Sequence, residues 1–166
     1  MSKEKEHAQE IVSGVGYGDR VTAIYLSPGV DLLTGILKAC KTSGITSGFV
    51  VYCIGSLTAV SCESASYDTS KPGGGDHVKR LTLEGPIQVL SGQGCIGSNK
   101  AGDLFAHLHI TFIAGRTGTV LGGHIEEGGN PVFTRLEAGI IGLKDMEIAT
   151  ELNAFDGKMH MVPRSL

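Results

Sequence analysis

The stretch FAHLHITFIAGRTGTVLGGH, Phe105 to His124, decides how the chain is read. Strand side chains alternate faces with a period of two. Ala106, Leu108, Ile110 and Phe112 therefore share one apolar face, and Phe105, His107, His109, Thr111 and Ile113 the other. The first set is the candidate core, which puts both histidines on the opposite face. GRTG reads as a turn and TVLGGHI as the returning strand of a hairpin. With Arg116 and Thr117 as the central turn residues, Ile110 faces Gly123, Phe112 faces Leu121 and Leu108 faces Ile125. The apolar face then continues across both strands. The same register sets His109 opposite His124, and cross-strand neighbours have Cβ atoms roughly 4.5–5.5 Å apart. His107 lies two residues along on that face. A slip of one residue would turn His124 to the wrong side.

His107, His109 and His124 thus form a candidate site for Zn²⁺ or another divalent transition metal. Three imidazoles from two adjacent strands can each stand about 2.0–2.1 Å from such an ion and leave a position open for water or substrate. The plain alternative is three ordinary histidines on a glycine-rich sheet. Glu126 lies further along the second strand as a candidate catalytic group. Its competing reading, shared with Glu127, is a solvated loop charge. His7, His77 and His160 read as surface residues.

Outward from this hairpin, 166 residues with 41% hydrophobic and 19% charged side chains suffice for one domain with a real core. The 25 glycines have no collagen-like period and sit beside short apolar runs, which points to turns and strands. Phosphate backbones are bound mainly by Lys and Arg that displace counterions. Fourteen such residues spread along a chain of net charge −3, with no basic run and no Arg-Gly-Arg-Pro arm, make a poor footprint for DNA. Cys40, Cys53, Cys62 and Cys95 form no Cys-x-x-Cys pair, which argues against a thiolate zinc site. They read as reduced thiols of a cytoplasmic protein, Cys53 and Cys95 in the core. MSKEKEHAQE carries no apolar leader segment, and no run is long enough to span a membrane. PGGGD (Pro72–Asp76) lacks the Lys-Ser/Thr of a phosphate loop.

Residues 1–19 read as a polar lead-in and 20–166 as a single domain. VTAIYL (Val21–Leu26) is the first strand. SPGVDLLTGILKACKTSG follows as a helix opened by Asp31 and ended by Gly44. Leu32, Leu33, Ile36, Leu37 and Cys40 form its apolar stripe. Gly48–Cys62 reads as a strand broken at Gly55. DTSKPGGGDH is a loop. VKRLTLEG and IQVLSGQGCIG are two strands turning near Gly85-Pro86, and SNKAGD is a turn. EEGGNP is a loop and VFTRLEAGIIGL a further strand, while the tail from Lys144 is less patterned. The fold class is α+β, a mostly antiparallel, barrel-like sheet with one main helix packed on it.

Four stretches carry a resemblance. GPIQVLSGQGCI resembles the Gly-Pro-Phe-Glu-Ile-Leu-Ser-Leu-Ser-Gly segment of PPC domains. YLSPGVDLLTGILKACKTSGITSGFVVYCIGSL resembles their opening strand, helix and glycine-containing second strand. LHITFIAGRTGTVLGGHI resembles their His-containing strand, turn and Gly-Gly-His, and VFTRLEAGI their closing Thr-x-x-Glu strand. The resemblance covers about Val21 to Leu143. It implies an α+β fold, a homotrimer and a DNA-associated regulatory or assembly module with protein partners. In plants this domain follows AT-hook motifs; this chain has none, so direct DNA binding carries over poorly.

The PPC fold is also similar to that of acetolactate decarboxylase, a metalloenzyme with a His-x-His plus His arrangement. By position this implies His107, His109 and His124 as ligands. Alternative functions are then a metal-dependent enzyme acting on a small oxo- or hydroxy-acid, with the metal polarising a carbonyl, or a purely structural metal site. Glu137 matches the closing-strand Glu as a second candidate catalytic group; an ion pair with Arg80 or Arg135 is its structural alternative. Gln88 stands where the family commonly has Glu, and an amide cannot replace a carboxylate in proton transfer. The family's Arg- and Asp-containing tail is only loosely echoed by NAFDGK.

Overall fold

The β-branched and aromatic runs become strands, and the single helical stripe becomes the one helix among the described residues. The computed structural model describes residues 11–66, 77–153 and 158–166. The elements are β1 (Tyr17–Leu26), α1 (Leu32–Ser43), β2 (Gly48–Ser66), β3 (His77–Ser98), β4 (Leu104–Ala114), β5 (Thr119–Ile125), β6 (Val132–Lys144), β7 (Met146–Leu152) and β8 (Met159–Ser165). They form one sheet in the order β1-β6-β2-β5-β4-β3-β7-β8, and β2 also pairs with β3. That extra pairing closes β2, β5, β4 and β3 into an antiparallel ring. Closure leaves these strands without a free edge where they pair on both sides. Among the described residues, the one parallel contact joins β3 to β7 at Ser98 and Ala149. The fold is therefore α+β with a barrel-like core, as the sequence pattern implies.

The core is one cluster. Leu108, Ile110 and Phe112 of β4 join Val60 and Cys62 of β2, Ile87 and Val89 of β3, and Ile125 of β5. Leu32, Leu33, Ile36 and Cys40 bring the stripe of α1 onto the same cluster, with Leu37 partly buried beside it. Each fully buried Phe, Leu or Ile of this kind stabilises the fold by about 1.5–3 kcal/mol. Burial pushes the Cys40 thiol up to about 11 and the Cys53 thiol up to about 12, so both stay protonated at neutral pH. Cys95 is only partly buried, not a core residue like Cys53.

Several boundaries differ from the sequence reading. β1 begins at Tyr17, inside the segment read as lead-in, because residues from Tyr17 onward find partners on β6. β2 runs unbroken through Gly55, which absorbs a register shift at a φ of 150°. Most notably, Gly85-Pro86 does not turn the chain. β3 passes through it as a single strand, the Gly85-Pro86 peptide being cis, and a bulge opposite Leu57–Ala59 restores pairing with β2. The tail forms the β7–β8 hairpin, which buries Met146 and Ile148. The loop at Asp68–Asp76, the glycine run within it and residues 154–157 of NAFDGK lie outside the described residues. So does His7.

One buried polar residue ties helix, loop and barrel together. Asp31 caps α1 by accepting from the Thr34 N–H at 3.1 Å, and its other carboxylate oxygen accepts from the Asn130 N–H at 3.0 Å. The Asn130 carbonyl in turn accepts from the Leu32 N–H at 3.0 Å. The Asn130 side chain is fully buried. It accepts from the Ser61 N–H at 2.9 Å and donates to the carbonyls of Glu126 (2.8 Å) and Gly128 (3.3 Å). Asn130→Ala should therefore cost about 2–3 kcal/mol, since it strands the part-buried Ser61 N–H and Glu126 carbonyl as well as losing its own bonds. Chemical denaturation of the metal-free protein measures this; a loss below about 0.5 kcal/mol would contradict the role assigned to Asn130.

Candidate metal centre

The hairpin of β4 and β5 pairs in the register read from the sequence. Ala114 pairs with Thr119, Ile110 with Gly123 and His109 with His124. The turn is set by the Thr117 and Gly118 N–H groups, which both donate to the Ala114 carbonyl (3.0 and 2.8 Å). Gly118 takes a φ of 70°, the left-handed region open to glycine. The alternation along β4 buries Ala106, Leu108, Ile110 and Phe112 and leaves the histidines on the outer face.

The three rings converge. His107 and His109 stack with centroids 4.9 Å apart, and His124 meets them edge-on at 4.6 and 5.4 Å. The His107 and His109 Nε2 atoms are 2.9 Å apart. One donor nitrogen from each of the three lies within 4.8 Å of the other two. Two ligands about 2.05 Å from a tetrahedral metal stand roughly 3.3 Å apart, so small ring rotations bring all three to an ion.

Close backbone packing makes this possible. A Cβ at Gly94 of β3 would overlap the His107 carbonyl, and one at Gly123 would sit 2.7 Å from the Glu63 carbonyl. Glycine at both positions lets β3 and β2 approach the hairpin. Cross-strand partners then form a row over the ring: Glu63 opposite His124, His124 opposite His109, and His109 opposite Gln93. Cys95 lies opposite His107.

The electrostatics suit a cation held by neutral imidazoles. Burial, reinforced by His124, His109 and His160, pulls the His107 pKa down to about 4. Burial and then His109 pull His124 down, partly offset by Glu63 and Glu126. Both rings therefore offer lone pairs at neutral pH. His160 of β8, read as a remote surface residue, is near enough for its charge to be felt at His107.

Glu126 is not a solvated loop charge. Its side chain is only 17% exposed; it accepts from the Ser61 hydroxyl at 2.9 Å and pairs with the Arg80 guanidinium. Burial pushes its carboxyl up, but Ser61, Arg80 and the nearby His124 outweigh this and hold it below the usual range. Glu126, Glu63 and His124 line one groove of about 250 Å³, with Leu33, Leu37 and Phe105 as its apolar part. Glu137 is elsewhere: it lies opposite Ile54 of β2, and its partner is Arg135 at 3.7 Å. Of the sequence candidates, the structure brings His107, His109, His124 and Glu126 together and leaves Glu137 apart. Sequence reasoning missed Glu63 and Arg80 at this site. The only signal for Glu63 was its outward parity on β2.

A family model of the Plants and Prokaryotes Conserved (PCC) domain matches residues 13–144. The chain belongs to the PCC family. Solved structures agree on the fold of this PCC domain. A protein from Archaeoglobus fulgidus described as metal-containing is 18% identical, with a TM-score of 0.73 over 93% of this chain and 99% of that one. A plant- and prokaryote-conserved protein from Pyrococcus horikoshii is 23% identical, with a TM-score of 0.71 over 90% and 96%. A protein from Bacteroides thetaiotaomicron named as a candidate DNA binder is 18% identical, with a TM-score of 0.70 over 92% and 97%. At these identities the likeness is one of fold. Among curated protein sequences none matches the chain.

The depressed His107 pKa has a consequence for stability. Its folded value lies below the ordinary 6.5, so the unfolded chain binds the proton first as pH falls. The contribution is present above pH 6.5 and is lost as pH falls towards about 4. Thermal melts of metal-free protein should show Tm dropping across that window, and the drop should shrink in His107→Gln. Identical wild-type and variant profiles would rule out this origin.

Proposed function

We propose that this PCC domain is an assembly and regulatory module that holds a divalent transition metal, zinc first, on His107, His109 and His124. The observation that carries the reading is the convergence of three imidazole donors within 4.8 Å on one face of the β4–β5 hairpin. The neutral state favoured at His107 and His124 supports it, as does a relative of the same fold described as metal-containing. When bound, such an ion supplies a fixed positive charge and a Lewis-acid position. His107, His109 and His124 orient it, and Glu63 and Glu126 set negative charge beside His124. Metal analysis of protein purified without chelators should find close to one transition-metal ion per chain, and the triple His→Ala variant close to none. Absence of metal from both would overturn the reading.

The enzyme alternative, an acetolactate decarboxylase-like reaction on a small oxo- or hydroxy-acid, has less support. Glu63, Glu126 and Glu127 line the groove beside His124, and carboxylates there repel an anionic substrate. Gln88, which stands where the family commonly has Glu, and Glu137, the closing-strand candidate, lie on other parts of the sheet. A purely structural metal would call for a fourth protein donor, whereas the cluster among the described residues has three. DNA enters through the name of a relative. A net charge of −3 argues for an association made through partners rather than direct contact.

Assembly with copies of itself is supported by the outer face of β1, β6 and β2. Val21 and Phe49 both lie opposite Ile141, and Tyr25 and Ile54 both lie opposite Glu137. Val21 is 78% exposed and Tyr25 61%. Contiguous exposed apolar surface of this kind marks an interaction face, and the PPC resemblance implies a homotrimer. Sedimentation equilibrium should give three times the 17.3 kDa chain mass. The double variant Val21→Glu, Tyr25→Glu should dissociate it. A wild-type monomer at micromolar concentration would refute the trimer.

A further inference from the structure

A second groove lies away from the histidines, where Gly55–Ser56 of β2, Pro86–Gln88 of β3, Ile113–Gly115 and Phe133–Arg135 of β6 meet. Its volume is about 500 Å³, and it shares no lining residue with the groove beside His124. That size falls within the roughly 300–1,000 Å³ of small-molecule sites. The ladder explains its floor: Ser56 and Ile113 both lie opposite Gln88, so their side chains share the outer face. Pro86, Ile113 and Phe133 form its apolar walls, and Phe133 is 49% exposed.

The polar side chains of this groove can all donate. Ser56 Oγ accepts from the Thr134 N–H at 3.2 Å and meets Thr134 Oγ1 at 2.7 Å. One hydrogen closes that hydroxyl pair, and the other is left to point outward. Gln88 adds an amide NH₂. Among the described residues, Arg135 is the only charged one in the lining. Its contact with Glu137 runs through Nε at 3.7 Å between two exposed side chains. Such a pair is weak in water, and it leaves the two terminal nitrogens for a bidentate acceptor. No carboxylate among the described residues lines the groove, in contrast to the groove beside His124.

We propose that this groove binds a small monocarboxylate with a flat apolar body. The carboxylate sits on the Arg135 guanidinium and the Gln88 amide, and the body lies against Phe133, Pro86 and Ile113. The site is independent of the metal. Charge complementarity selects the anion; the apolar walls select against a small hydrated ion such as acetate.

The test uses the full chain, in its native assembly, with 2-naphthoate as probe. The neutral 2-naphthamide and the cationic 2-naphthylmethylamine are the controls. Titration followed by amide NMR should shift Gly55, Gln88, Gly115 and Thr134 and leave His109 and His124 unmoved. Naphthoate should bind at least about tenfold more tightly than either control. Gln88→Glu, which sets a carboxylate against the ligand, and Arg135→Gln should each weaken it at least about tenfold. Both residues are exposed, and the unliganded spectrum reports whether each variant is folded. Shifts confined to the histidines would overturn the proposal, because the carboxylate would then be a metal ligand. So would equal binding of the amide, unchanged affinity in both folded variants, or no shift in the groove, the last being the outcome if a second copy covers it.

Discussion

The pairing of His109 with His124 across the β4–β5 hairpin is the contact on which the site depends. It is held from the opposite side of the sheet. Ile110 and Phe112 are locked in the core, and a slip of one residue would expose them while turning the histidines inward. Burial of the apolar face and convergence of the imidazoles are thus one constraint. The core fixes the register, and the register fixes where the imidazoles meet. Closure of the ring through β2 adds a second anchor, since β5 pairs on its far edge with Cys62 and Glu63.

The region around His124 is stiffened by groups that are distant in sequence. Asp31 at the start of α1 and Asn130 in the loop before β6 hold each other. Asn130 then reaches both Ser61 and the Glu126 carbonyl. Ser61 and Arg80 in turn hold the Glu126 carboxylate. A polar network this complete costs little to bury because no group in it is left unpaired. Its effect at the site is to fix one negative charge beside His124 without using it as a ligand.

What the sequence made legible was the local part. Strict alternation along Leu104–Ala114, a glycine-bounded turn and a helix with both caps can all be read from neighbouring residues. Gly85-Pro86 misled for a physical reason: the pair reads as a turn signal, yet β2 pairs along both sides of it and carries the strand through. The tail was missed because MEIATEL and MHMVPRS alternate weakly and are strands chiefly through pairing with each other. Glu126 read as a solvated charge because it stands beside Glu127 and two glycines. The partners that draw it in are 46 and 65 residues away, and no local pattern announces them. The three histidines were legible as a cluster since two lie on one strand and the third is set by the turn. Glu63 and Arg80 needed the ring.

The two grooves of the outer surface carry opposite charge, and this divides their roles. Carboxylates crowd the histidine side, where a divalent cation gains from them through the short distances involved. The Gln88 side presents donors and one guanidinium. A ligand with a single carboxylate is repelled by the first groove's acidic lining unless a bound metal offsets it, and attracted by the second with or without metal. The strands separate the two sites without isolating them. Gln88 and Gln93 lie on the same strand, opposite Ile113 and His109 respectively. The β3–β4 ladder therefore runs from the second groove to the row of histidine partners, with a register shift between Val89 and Ser91 on the way. β2 also joins the two grooves, with Gly55 and Ser56 in one and Glu63 in the other. The grooves share no lining residue, and coupling between sites needs an element with two discrete arrangements that both sites bias, so the physical expectation is two sites that fill independently.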